Sequence, residues 1–108
     1  MTTFVRVAAV GDVRPGRARA VAAAGEHLLL CNVDGNLYAI ADLCTHDRGP
    51  LGDGHLRGAT IECPRHGARF DVRDGSVVSP PAVRDLATYP LRVIDGHVEI
   101  AVDRDDAA

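Results

Sequence analysis

Tryptophan and lysine are missing from this 108-residue chain, methionine occurs once, and Phe4, Tyr38, Phe70 and Tyr89 are its only Phe, Tyr or Trp residues. Nucleic-acid bases would find no stacking platform here. The 12 basic residues are all arginine, scattered among 15 acidic ones, and the formal charge is −3. No basic run exists to track a phosphate backbone, so the composition speaks against a nucleic-acid partner. Apolar stretches fall far short of the roughly 20 residues needed to span a bilayer. The opening "MTTFVRVAAV" lacks the charged leader and apolar run of a signal peptide, so the expected compartment is the cytoplasm, with no membrane partner. Three cysteines are too few, and odd in number, for a disulfide framework. They must be packed, reactive or bound to metal. No nucleophile–base or paired-acid arrangement and no glycine-rich phosphate loop is evident, which leaves nothing to transform a substrate.

Turn chemistry is abundant. Asp-Gly pairs at 34–35, 53–54, 74–75 and 95–96 each supply the positive φ angles of a tight hairpin turn. Three of them separate short apolar runs, predicting hairpins over 27–41, 69–78 and 89–102. In the last, Leu91, Val93, Val98, Ile100 and Val102 share one phase. "FVRVAAV" is a further strand candidate, and "RARAVAAAG" (17–25) is ambiguous between strand and helix. Pro80-Pro81 excludes a strand, predicting a loop over 79–87. Without a long 3.6-residue period, the chain reads as one all-β domain over 1–108, a small antiparallel sandwich or barrel of about eight to ten strands. The tail from residue 103 reads as frayed.

Chemistry concentrates in Cys44-x-His46 and Cys63-x-x-His66, which are separated by 16 residues. Both fall between predicted strands, where a rigid sheet can present a functional loop. A lone Cys-x-His occurs readily by chance, but two thiol–imidazole pairs in so short a chain point to a metal. Zinc bound by two Cys and two His is one candidate. However, the order here is Cys, His, Cys, His with no helix following, unlike a zinc finger. A binuclear iron–sulfur cluster accommodates this interleaving, one iron taking both thiolates and the other both imidazoles.

The stretch "CTHDRGPLGDGHLRGATIECPRHGARFDVRDGSVVSPPA" resembles the cluster-binding region of Rieske-type ferredoxins that serve bacterial aromatic-ring-hydroxylating oxygenases. The resemblance implies a Rieske-like β fold with a cluster-binding region of about 42–82, made of two loops and a proline loop. It implies one 2Fe-2S cluster, held by Cys44 and Cys63 on one iron and by His46 and His66 on the other, with "SPPA" (79–82) shielding it. The Rieske proteins of respiratory and photosynthetic complexes differ. They resemble "CTHLGC…CPCHGS", whose additional cysteines form a disulfide between the loops. Gly49 and Arg65 stand at those positions here. The loops would then be held by the cluster, their turns and the proline loop alone. That branch also donates hydroxyls to the cluster sulfurs from positions that carry Ala68 and Phe70 here.

The implied role is a one-electron carrier, not an enzyme, with a flavoprotein reductase and a terminal oxygenase as partners and a monomer as the expected state. A small Rieske subunit of a larger oxidoreductase, such as a nitrite reductase, is the alternative. Two ferric ions, two sulfides and two thiolates sum to zero charge with neutral imidazoles, so reduction is easier than for a four-thiolate dianion. Without the two hydroxyl donors, the potential is expected at the low end of the Rieske range, about −150 mV. Arg48, Arg65 and Arg69, close to the ligands in sequence, are candidates for a docking face, with plain solvation as the alternative. Asp53 and His55 read as turn residues, as do Asp71 and Asp74. His27 and His97 read as ordinary strand residues, and Cys31 as a buried strand thiol.

Overall fold

The computed structural model describes residues 2–52 and 55–103. Its organising element is β3 (Glu26–Val33), whose unbroken apolar run Leu28–Cys31 is completely buried. A half-buried strand would alternate, whereas a strand covered on both faces need not. Leu28 and Leu30 point into one core, with Val98, Ile100 and Val102. Leu29 and Cys31 point into a second, with Ile61, Phe70 and both motif cysteines. The strand is therefore the partition between two hydrophobic layers.

The described residues form three antiparallel sheets, of which β3 belongs to the central one. In the central one, β2 (Ala18–Ala23), β3, β4 (Asn36–Ala41) and β9 (Thr88–Tyr89) lie side by side in that order. A second sheet, ordered β1-β11-β10, comprises β1 (Thr2–Ala9), β10 (Leu91–Ile94) and β11 (His97–Asp103). The third is a meander of β5 (His55–Arg57), β6 (Thr60–Glu62), β7 (Arg69–Asp71) and β8 (Val77–Ser79). It is inserted between β4 and β9, which nonetheless pair with each other. A hydrogen bond from Ala41 N–H to the Ala87 carbonyl (2.9 Å) closes the stem of the insertion.

The all-β expectation holds, with eleven strands among the described residues rather than eight to ten. The additional ones are short: β5 is three residues and β9 is two. The ambiguous 17–25 run forms β2, because pairing with β3 along its whole length outweighs the helical preference of alanine. Ala24 and Gly25, both at positive φ, make the turn between them without an Asp-Gly pair. The three expected hairpins are present as β3–β4, β7–β8 and β10–β11.

Of the Asp-Gly pairs among the described residues, two form the expected turn and one does not. Asp34-Gly35 and Asp95-Gly96 both adopt positive φ, as tight hairpin turns require. At 74–75 only Gly75 does. There the strands are joined by a wider loop, in which Asp74 accepts the Ser76 N–H at 2.9 Å. A Cβ on Gly75 would stand 2.2 Å from the Leu86 carbonyl oxygen, so glycine is needed for close approach of the proline loop. The pair at 53–54 and the tail beyond 103 lie outside the described residues. His55 begins β5 rather than a turn. The alternation over 91–102 holds on β11 but not on β10, where Val93 is 48% exposed. That strand is the edge of a three-stranded sheet. Loop structure starts at Pro80, since β8 takes Ser79.

Leu30→Ala would empty a fully buried site and is expected to cost about 2–5 kcal/mol, read from urea unfolding. Burial, with the Asp42 charge adding to it, pushes the Cys31 thiol up to about 12. In the unfolded chain the same thiol ionises near 8.5. A raised folded-state pKa stabilises fully below the unfolded value and is lost as pH rises through the folded one. Stability should therefore fall as pH climbs above about 8.5. Cys31→Ala should show a shallower alkaline decline in urea midpoint than the wild-type chain.

Candidate metal centre

The two motif loops have one design. Cys44 N–H donates to the Gly49 carbonyl, and Arg48 N–H donates to the Cys44 carbonyl, each at 2.7 Å. In the second loop Cys63 N–H donates to the Ala68 carbonyl (2.7 Å) and Gly67 N–H to the Cys63 carbonyl (3.1 Å). Cysteine thus bonds its fourth and fifth followers in both loops, and the fourth follower has positive φ in both: Arg48 at 65° and Gly67 at 77°. Glycine reaches that region freely, whereas arginine adopts it at a cost of about 1–2 kcal/mol.

This folding sends the thiols inward and the imidazoles outward. Cys44 and Cys63 are buried in the core shared with Phe70, Ala68 and Ala82. Their sulfurs lie within 4.8 Å of each other and of a carboxylate oxygen of Asp47. Burial raises the Cys44 pKa, and the neighbouring Cys63 thiol adds to the effect, against hydrogen bonds from the Asp47 and His46 backbones that lower it. His46 and His66 are exposed, with ring centroids 5.1 Å apart and planes at 85°. All four sequence-predicted residues therefore occupy one pair of loops as a thiol pair and an imidazole pair.

The proline loop closes a third side. Ala82 and Leu86 pack into the cysteine core, Leu86 N–H donates to the Gly75 carbonyl (2.7 Å), and the Thr45 hydroxyl donates to the Arg84 carbonyl (2.6 Å). Ala68 and Phe70 are fully buried and offer no side-chain donor. Such a set, with two thiols in a dry pocket and two imidazoles at the rim, suits a binuclear cluster bound by sulfur on the inside and nitrogen on the outside.

Asp47 has no place in the sequence motif, yet it stands at the centre of this region. It accepts two hydrogen bonds from Arg65 and one from the Gly49 N–H (2.9 Å), and these hold its carboxyl well below the usual carboxylate range. Its Oδ2 is also 3.6 Å from His66 Nε2. The only advance signal was spacing: an acid next to one ligand and an arginine next to another. The arginines themselves diverge. Arg65 is committed to Asp47 and Arg69 to Glu62 (3.1 Å), whereas Arg48 has no carboxylate partner among the described residues. Ion pairing at 65 and 69 turns two of the three expected docking cations back onto their own chain.

Residues 3–90 match the Rieske 2Fe-2S domain. The chain belongs to the Rieske family. The biphenyl dioxygenase ferredoxin subunit of Pseudomonas sp. strain KKS102 is 39% identical over 107 residues, which span 98% of this chain and 96% of that protein. A chain of the complex of reduced oxygenase and oxidized ferredoxin in carbazole 1,9a-dioxygenase superposes with a TM-score of 0.86 at 36% identity, covering 91% of this chain and 92% of that one. The small subunit described for an NADH-dependent nitrite reductase of Mycobacterium tuberculosis has the same fold (TM-score 0.81, covering 96% of this chain and 98% of that one) at 23% identity, a likeness of fold alone. This Rieske chain is a ferredoxin-type electron carrier and not itself an enzyme, and its cofactor is one Rieske-type 2Fe-2S cluster.

Arg48→Gly would place in the first loop the residue type the second already uses at that φ. We expect it to raise stability by about 0.5–1 kcal/mol, because the relieved left-handed strain slightly exceeds the entropy added to the unfolded chain. Thermal unfolding of the two proteins side by side checks this.

Proposed function

We propose that Cys44 and Cys63 ligate one iron of the cluster and His46 and His66 the other. The carrier would take one electron at a time from a flavin-containing, NAD(P)H-dependent reductase and pass it to a terminal ring-hydroxylating oxygenase. The convergence of two buried thiols and two exposed imidazoles on two like-folded loops carries the reading. When bound, the cluster supplies a reversible one-electron couple. The protein does the rest. Its cysteine core keeps water from the sulfur side, and the histidine edges reach the surface, where an electron can leave.

Charge and shape at this tip favour docking there. Leu43, Thr45, His46, Arg48 and Arg84 line one shallow groove beside the histidines. Val83, 89% exposed on the proline loop, stands next in sequence to Arg84. An apolar contact flanked by Arg48 and Arg84 suits a partner face that presents carboxylates, although the chain as a whole carries a charge of −3. The relatives support the pathway: one is a dioxygenase ferredoxin subunit and another was solved with its oxygenase. A carrier that docks in turn on a donor and an acceptor works as a monomer. No helix among the described residues is long and apolar enough to cross a membrane, and dependence on a reductase that oxidises NAD(P)H favours a cytoplasmic carrier.

Electron paramagnetic resonance tests the ligand set. Protein purified without air should be silent when oxidised and give a rhombic signal after dithionite, with a lower average g than an all-cysteine cluster. Its midpoint potential should lie near −150 mV, roughly the low end for Rieske centres. His46→Cys or His66→Cys should remove or transform that signal. A colourless, zinc-loaded protein that is silent in both states would overturn the reading.

A further inference from the structure

The two ligand loops carry no covalent cross-link, and what joins them is not limited to turns and the proline loop. Arg65, one residue before His66, reaches back across the gap. Its Nε donates to Asp47 Oδ2 at 2.5 Å, its Nη2 to Asp47 Oδ1 at 3.0 Å, and its Nη1 to the Pro50 carbonyl at 2.8 Å. Asp47, one residue after His46, is itself fixed by the Gly49 N–H. Each end of the clamp therefore sits beside an imidazole.

Gly49 supplies the second, independent observation. It is not among the residues with positive φ, so its backbone does not call for glycine. A Cβ there would stand 2.6 Å from Arg65 Cζ, 2.7 Å from Nη2 and 2.9 Å from Nε. The missing side chain is the seat of the guanidinium.

We infer that Arg65 is a positioning residue that fastens the His66 loop to the His46 loop through Asp47 and Pro50, with Gly49 kept side-chain-free to admit it. The inference rests on the cluster reading above. The fork geometry matters as much as the charge. A planar guanidinium can satisfy both carboxylate oxygens and a carbonyl at once, which a lysine ammonium on a flexible stem cannot. Positions 49 and 65 are also those where the related branch is cross-linked by its additional cysteines. The same seam is thus closed here by a polar clasp.

Gly49→Ala and Arg65→Lys separate this from a general charge effect, since neither changes the net charge. The end of a flexible side chain can give way to the new methyl, so Gly49→Ala should fold with its guanidinium displaced. Wild type, both single variants and the double variant would be purified anaerobically with the cluster in place. Iron release to excess chelator and the line widths of the reduced rhombic signal would then be compared. Each single variant should lose iron about tenfold faster or more, as expected when a group that orients metal ligands is removed. Each should also broaden the resonances, because the imidazoles are less uniformly held. The double variant should be no worse than the more affected single one, because both changes undo one clamp. Wild-type rates and widths in either single variant would overturn the inference. So would effects that multiply in the double variant, or faster iron loss with unchanged widths. Should Gly49→Ala fail to accumulate with its cluster, Asp47→Glu, which keeps the charge but displaces the carboxylate from the guanidinium, takes its place in the same comparison. Absence of a rhombic signal from the wild-type protein would instead refute the underlying cluster reading.

Discussion

Two thiols that begin 19 residues apart in the chain must meet in a place from which water is excluded, and the rest of the molecule is arranged to make that possible. The thiols sit against a dry, closely packed wall, whereas the imidazoles stand exposed at the rim. The loops produce this division locally. A cysteine that bonds its fourth and fifth followers turns its own side chain inward and lifts the intervening histidine to the rim. The dry wall is supplied by β3, whose Leu29 and Cys31 underlie the cysteine core while Leu28 and Leu30 support the opposite one. One strand buried on both faces thus couples the stability of the scaffold to the packing of the site.

Electrostatics follow the same division. On the inside, a carboxylate oxygen of Asp47 comes within 4.8 Å of the Cys44 and Cys63 sulfurs, and Arg65 pairs with that carboxylate. At the rim, Arg48 and Arg84 border a groove beside His46. Arg65 is paired with Asp47, whereas Arg48 has no carboxylate partner among the described residues, so arginines that look equivalent in a linear chain stand in different surroundings.

Much of this was legible in advance. The Cys-x-His and Cys-x-x-His spacings named the residues that do converge, and the Asp-Gly pairs at 34–35 and 95–96 marked true hairpins because both residues take positive φ there. Legibility ended where a residue's role depends on something distant in the chain. Gly75 looked like another hairpin turn, but its purpose is to let Leu86 approach. Gly49 and Arg65 read as the mere absence of a disulfide, because no local pattern shows that one is the seat of the other. β2 was ambiguous for the same reason: its partner, not its alanines, decides its conformation.

The pairing of β4 with β9 has a consequence for how such proteins diversify. The chain leaves the central sheet after Ala41 and returns at Thr88 on the adjacent strand, with the stem tied by the Ala41–Ala87 hydrogen bond. The entropy of closing that long excursion is met by the scaffold and grows only slowly with its length. Whole ligand heads of different size could therefore be exchanged on one unchanged pedestal.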